Sequence, residues 1–102
     1  MAGKIHRLRV PDEVASLIRC MHPQLKRKIR AALQVIQTDA GVGKALRDEL
    51  AGLRSYRVGR FRIIYRVISG PYIDIVTVGP RKRIYQETYR LIRRQTDPAD
   101  RS

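Results

Sequence analysis

Between Arg54 and Arg66 five arginines share thirteen positions with Phe61, Ile63, Ile64 and Tyr65, and no acidic residue occurs between Glu49 and Asp74. A guanidinium is planar, permanently charged and able to make paired hydrogen bonds, which suits bidentate contact with phosphate. With a period of two, Phe61, Ile63, Tyr65 and Val67 fall on one face of a strand and Arg60, Arg62, Ile64 and Arg66 on the other. The first face can bury in a core. The second presents cations without intervening carboxylates, and the expectation is that it meets an RNA backbone.

A strand can aim those groups only if other elements cover its apolar side. Lys4 to Val10 alternates and reads as a first strand. Pro11, Asp12 and Glu13 open a helix, with proline in the first turn and acids at the positive end of the dipole; Val14, Leu17, Ile18 and Met21 form its apolar stripe. His22-Pro23 breaks it, with His22 as a cap. A second helix follows from Pro23 to about Thr38, with Leu25, Ile29, Leu33 and Ile36 inward and Lys26, Arg27, Lys28 and Arg30 outward.

Gly41-Val42-Gly43 is a connection that lacks the spacing of a phosphate loop. Asp48-Glu49 reads as a short helical turn. Gly59-Arg60 can close a two-residue hairpin. Ser69-Gly70-Pro71 makes a second turn, and Tyr72 to Val78 a third meander strand with Ile73 and Ile75 inward. After Gly79-Pro80, Arg81-Lys82-Arg83 leads into a last helix. Ile84, Thr88, Leu91 and Ile92 share one face of that helix, and Tyr85 and Tyr89 lie four apart on another.

The predicted class is therefore α+β, in the order β-α-α-β-β-β-α. Two helices pack on one face of a small antiparallel-type sheet, the arginine face stays open, and a helix ends the chain. A single domain over 1–102 is expected, with a flexible tail over 95–102.

The formal net charge is +13, and the carboxyl-terminal half holds twelve Lys/Arg against four Asp/Glu. Such an excess repels itself in a compact state and points to an anionic partner, nucleic acid first and an acidic protein second. No apolar run approaches the length of a membrane span, and the amino terminus has no apolar signal segment, so a cytoplasmic protein without a membrane partner is expected. The one cysteine, Cys20, reads as a small buried residue of the first helix.

Two phrases then carry a resemblance. Arg57-Val58-Gly59-Arg60-Phe61-Arg62-Ile63-Ile64-Tyr65 resembles the central "R-V-G-x-Y-R-I-I-Y" stretch of the RelE/ParE toxin superfamily, and Val78-Gly79-Pro80-Arg81 to Tyr85 resembles the "V-G-x-R-x-x-x-Y" ending of its RelE-like branch. Gly43-Lys44-Ala45-Leu46 fits as well. The resemblance implies the toxin of a type II toxin–antitoxin pair: a ribosome-dependent endoribonuclease that cleaves messenger RNA and is silenced by a cognate antitoxin through an acidic segment. It implies a hetero-oligomer with that antitoxin and a ribosome carrying mRNA and rRNA as the target. A ParE-like inhibitor of DNA gyrase, or a non-catalytic RNA-binding member, are the alternatives.

The sequence has no histidine pair, carboxylate pair or metal-ligand cluster for metal-activated water, so no metal or cofactor is expected. For RelE-type cleavage this leaves attack by a 2′-hydroxyl on the adjacent phosphate. By resemblance Arg62 holds the scissile phosphate, Arg81 is general acid or charge stabiliser, and Tyr85 is the late catalytic tyrosine. Arg54, Arg57, Arg60, Arg66, Lys82, Arg83 and Tyr89 would line the RNA path. The chain departs from the pattern in two ways. No lysine precedes the meander turn, where Arg54, Tyr56 and Arg57 stand instead, and the Arg81-to-Tyr85 spacing is short. The general base is accordingly open, with Tyr89 as a substitute for Tyr85.

Overall fold

The computed structural model describes residues 6–68 and 70–96, with the side chains of 81–83 and 94–96 outside the description. The elements are β1 (Arg7–Arg9), α1 (Asp12–Arg19), α2 (Pro23–Thr38), β2 (Lys44–Ala45), a 3-10 turn (Asp48–Leu50), β3 (Arg54–Val58), β4 (Phe61–Val67), β5 (Tyr72–Pro80) and α3 (Arg81–Thr96). They form an α+β fold around one five-stranded sheet of order β1-β5-β4-β3-β2, in which β1 runs parallel to β5 and the other pairs are antiparallel. The expected start of β1 at Lys4 and Ile5, and the end of the expected tail from 97 onward, lie outside the described residues. β2 was not foreseen, because two exposed residues carry no strand pattern.

Local chemistry sets the boundaries. The α1 helix starts after Pro11 with Asp12 and Glu13 in its first turn and Arg19 in its last, matching the helix dipole at both ends. For α2, His22 is the cap: its Nδ1 accepts the Gln24 backbone N–H at 3.2 Å, and Pro23 takes the first helical position, where no donor is needed. Gly59, at φ +58°, turns β3 into β4 with Val58 opposite Phe61.

One sheet face meets α1 and α2. Val14, Ile18, Ile29, Ala32 and Ile36 pack against Val58, Ile63, Tyr65, Ile73, Ile75 and Val78. Tyr65 is fully buried, donates its hydroxyl to the Ala40 carbonyl at 2.8 Å and accepts the Gly43 N–H at 2.8 Å. Burial pushes this phenol above its ordinary value, against the pull of the Gly43 N–H. A Cβ at Gly43 would stand 2.6 Å from the Tyr65 hydroxyl oxygen, so this connection is a tight seat for a core tyrosine.

The opposite face is not open. Along its middle, α3 brings Ile84 onto Leu53 and Ile64, with Val76, Tyr85 and Ile92 around them. The register shifts at Ile64/Tyr65, where Ile64 pairs with Thr77 and Tyr65 with Ile75, so Val76 is the extra residue on β5. Consecutive Ile63, Ile64 and Tyr65 are all buried because β4 is covered from both sides. Cys20, expected inside, is exposed as the C-cap residue of α1, while the neighbouring Met21 packs against the core.

Candidate nucleic-acid interface

The cross-strand register determines which arginines share a site. On the α3 side, Arg57 of β3 lies directly opposite Arg62 of β4, and Gly79 of β5 lies opposite Arg62 on its other flank. Two like charges facing each other across a ladder destabilise a sheet. Among the described residues no carboxylate forms an ion pair with either; the ion pairs there are Arg9–Asp74 and Arg66–Asp74.

Ser55, two residues before Arg57 on the same face, is buried beside this pair. Its Oγ accepts the Tyr85 hydroxyl at 3.3 Å and an Arg62 Nη1 hydrogen at 3.5 Å, the outer limit of a hydrogen bond. The Arg62 guanidinium also lies 5.9 Å from the centre of the Tyr85 ring, within cation–π range. Its buried Nε has no hydrogen-bond partner among the described residues. Such a donor costs stability until something accepts from it. Arg57 is exposed and makes only a 3.4 Å bond from Nε to the Gly59 carbonyl. Arg60 is exposed in the adjoining turn.

Gly79 is buried, and a Cβ there would stand 3.0 Å from Ile84 Cδ1. Its missing side chain lets α3 begin two residues later, close to Arg62. The first turn of α3 contains no acid, so its free N–H groups favour an anion. Hydroxyl, phenol, guanidinium pair and helix start thus converge at the hairpin end of this face. The arrangement can bind a phosphate and place a phenolic proton beside it.

Not every arginine expected here belongs to the site. Arg54 has the parity of Tyr56 and Val58, so it lies on the other face; its Nη1 donates to the Gly43 carbonyl at 2.7 Å and to Gly41 at 3.4 Å. It ties down the loop under Tyr65. Arg66 sits opposite Asp74 and pairs with it at 3.8 Å, while Arg9 reaches the same carboxylate at 3.2 Å. These two arginines border a separate groove of about 510 Å³ between α1, β5 and Leu91 of α3. Tyr89, one turn beyond Tyr85, is engaged by Arg93, whose Nη1 lies 3.4 Å from the phenol oxygen. The side chains of Arg81, Lys82 and Arg83 lie outside the described residues; their backbone forms the first turn of α3. Ser55 was missed, although its alternation with Arg57 was visible in the sequence. No group of three His, Cys, Asp or Glu gathers as a metal site, and no helix is long and apolar enough to cross a membrane, among the described residues.

Comparison with solved structures first defines the class. Over 76% of this chain and 99% of the other, the fold matches a chain of the toxin–antitoxin complex RelBE2 from Mycobacterium tuberculosis, with TM-score 0.67 and 26% identity. A variant of the E. coli toxin RelE in the free state matches with TM-score 0.72 over 90% of this chain and 98% of that one, at 14% identity. The archaeal RelE–RelB complex from Pyrococcus horikoshii OT3 gives TM-score 0.64 over 78% and 98%, at 20% identity. The architecture is that of RelE toxins. No curated protein gives a significant sequence match. The model of the ParE toxin of the type II toxin–antitoxin system parDE matches residues 9–85, and the chain belongs to that family, within the RelE/ParE superfamily.

Proposed function

We propose that this toxin is a metal-independent, ribosome-dependent endoribonuclease that cuts messenger RNA by 2′-hydroxyl attack. The observation that carries the reading is the facing pair Arg57 and Arg62, without a carboxylate partner among the described residues and beside the Tyr85 phenol. The family alone leaves the target open, since it holds both ribonucleases and gyrase inhibitors. Arg62 supplies a fork of donors, one with no acceptor among the described residues, to the non-bridging oxygens of the scissile phosphate. As the 2′-oxygen bonds to phosphorus, charge grows on those oxygens and the contact strengthens, which is how such a group lowers a barrier. The bond to the 5′-oxygen breaks, and Tyr85 gives that oxygen its proton. Arg81 adds charge from the start of α3. The products are a 2′,3′-cyclic phosphate and a 5′-hydroxyl.

The partner follows from the charge. A surface of +13 gains affinity for polyanions through counterion release, and a carboxylate-rich antitoxin segment competes for it. Structural relatives were solved as toxin–antitoxin complexes, among them YoeB–YefM from Staphylococcus aureus (TM-score 0.58, 21% identity, 72% of this chain and 93% of that one), which supports a hetero-oligomer here.

Brief expression in a growing bacterium, with 5′ ends mapped on translated messages, tests the reading. Codon-phased cuts that disappear in Arg62→Ala are expected. Broken chromosomal DNA with intact messages would instead make the protein a gyrase poison.

A further inference from the structure

The proposed cleavage lacks one component, a group to take the proton from the attacking 2′-hydroxyl. Guanidiniums cannot do so, because they stay protonated at any relevant pH. Tyr85 already donates its hydroxyl to Ser55 and is assigned to the leaving group. His22 caps α2, and His6 adjoins β1, which has two strands between it and β3 in the sheet order. None of these is a base at the arginine pair.

One carboxylate is placed there. Glu87 is the only acidic residue in α3 and lies two positions beyond Tyr85. Its Oε2 stands 3.8 Å from where a Cβ of Gly79 would be. Gly79 is the register partner of Arg62, and neighbours on one face of an antiparallel pair have Cβ positions only about 5 Å apart. The carboxylate therefore borders Gly79, the strand partner of Arg62, beside the Ile84 methyl that packs on the same glycine. Glu87 is exposed and forms no ion pair among the described residues. In a chain with 22 Lys/Arg and nine Asp/Glu, a free carboxylate beside a cationic site weakens anion binding. Its position calls for a role other than affinity or packing.

Resting on the nuclease reading above, we propose that Glu87 is the general base: its carboxylate accepts the 2′-hydroxyl proton as the 2′-oxygen bonds to phosphorus. The electron pair of the breaking bond leaves with the 5′-oxygen, which takes a proton from Tyr85. One proton enters the protein at Glu87 and one leaves at Tyr85, so charge balances over the step. Both groups project from α3, Tyr85 toward Ser55 and Arg62 on β3 and β4 and Glu87 toward Gly79 of β5, so they flank the Arg62 strand from two sides. The base missing from the strand before the turn is thus supplied from α3.

The test uses the full-length protein and ribosomes programmed with a short message. Glu87→Gln keeps shape and removes the base. Single-turnover cleavage should fall on the order of 100-fold or more, with ribosome affinity within about twofold and the melting temperature unchanged. Glu87→Asp should recover part of the rate. The limb of the pH–rate profile that rises with base ionisation should vanish in Glu87→Gln and persist in Tyr85→Phe. A message with sulfur replacing the 5′-bridging oxygen at the cut needs no proton on its leaving group; it should restore Tyr85→Phe and leave Glu87→Gln slow. Cleavage by Glu87→Gln at the wild-type rate with an unchanged profile overturns the assignment and spares the nuclease reading. Intact messages with the wild-type protein overturn both.

Discussion

Replacing Arg62 with methionine should make this protein more stable and far less active. Methionine keeps the length and the apolar stem but removes the charge and the donors. The losses are a 3.5 Å hydrogen bond to Ser55 and a cation–π contact at 5.9 Å, together about 1 kcal/mol. Two gains oppose them. The buried Nε, which has no partner among the described residues, disappears, and such a donor costs about 1–3 kcal/mol. The like-charge opposition to Arg57 also ends, which adds a few tenths to about 1 kcal/mol. The net expectation is stabilisation by roughly 1 kcal/mol, or a melting temperature about 4–8 °C higher for a domain of this size. Cleavage of ribosome-bound message should meanwhile drop on the order of 100- to 1000-fold, the usual loss when a group stabilising transition-state charge is removed. Calorimetry and a single-turnover assay on the same sample measure both. A melting temperature several degrees below wild type would refute the reasoning, because it would mean that Arg62 holds the fold together. Strain kept at a site for the sake of function is a familiar trade.

Four further outcomes follow. Gly43→Ala should destabilise by about 2–4 kcal/mol, read from urea midpoints, because the new methyl meets the buried Tyr65 ring at 2.6–3.0 Å and disturbs two hydrogen bonds. With the folded Tyr65 phenol raised by burial, its contribution is complete below its unfolded value of about 10 and is lost as pH rises through the folded one. Melting temperatures above pH 10 should therefore fall less steeply in Tyr65→Phe. Arg57→Ala should weaken RNA binding and lower the slope of log affinity against log salt by about 1, measured by fluorescence titration. Arg66→Ala, at the other end of β4 and paired with Asp74, should leave the single-turnover rate within about threefold of wild type.

Much of the frame was legible in the sequence because local rules set it. His22-Pro23 fixes the start of α2, Gly59 the hairpin, and Val14, Ile29 and Ile36 the face that meets the sheet. What escaped depends on register. Alternation placed Ile64 with the arginines but did not show that Ile84 would cover it, since the docking of a terminal helix is a long-range matter. The extra residue Val76 shifts the partners of β4, and only that pairing sets Asp74 opposite Arg66. Arg54 looked equivalent to Arg57, yet three positions along a strand reverse the face. Ser55 and Glu87 went unnoticed because neither residue type signals a site until strand and helix are brought together.

The chemistry of the cut end tests the central claim most directly. Purified protein, programmed ribosomes and a chelator are incubated with a labelled message, and the 3′ ends released are identified by mass spectrometry. A 2′,3′-cyclic phosphate, formed by wild type and not by Arg62→Ala, is the predicted result. A 3′-hydroxyl end, or a message left whole, would contradict it.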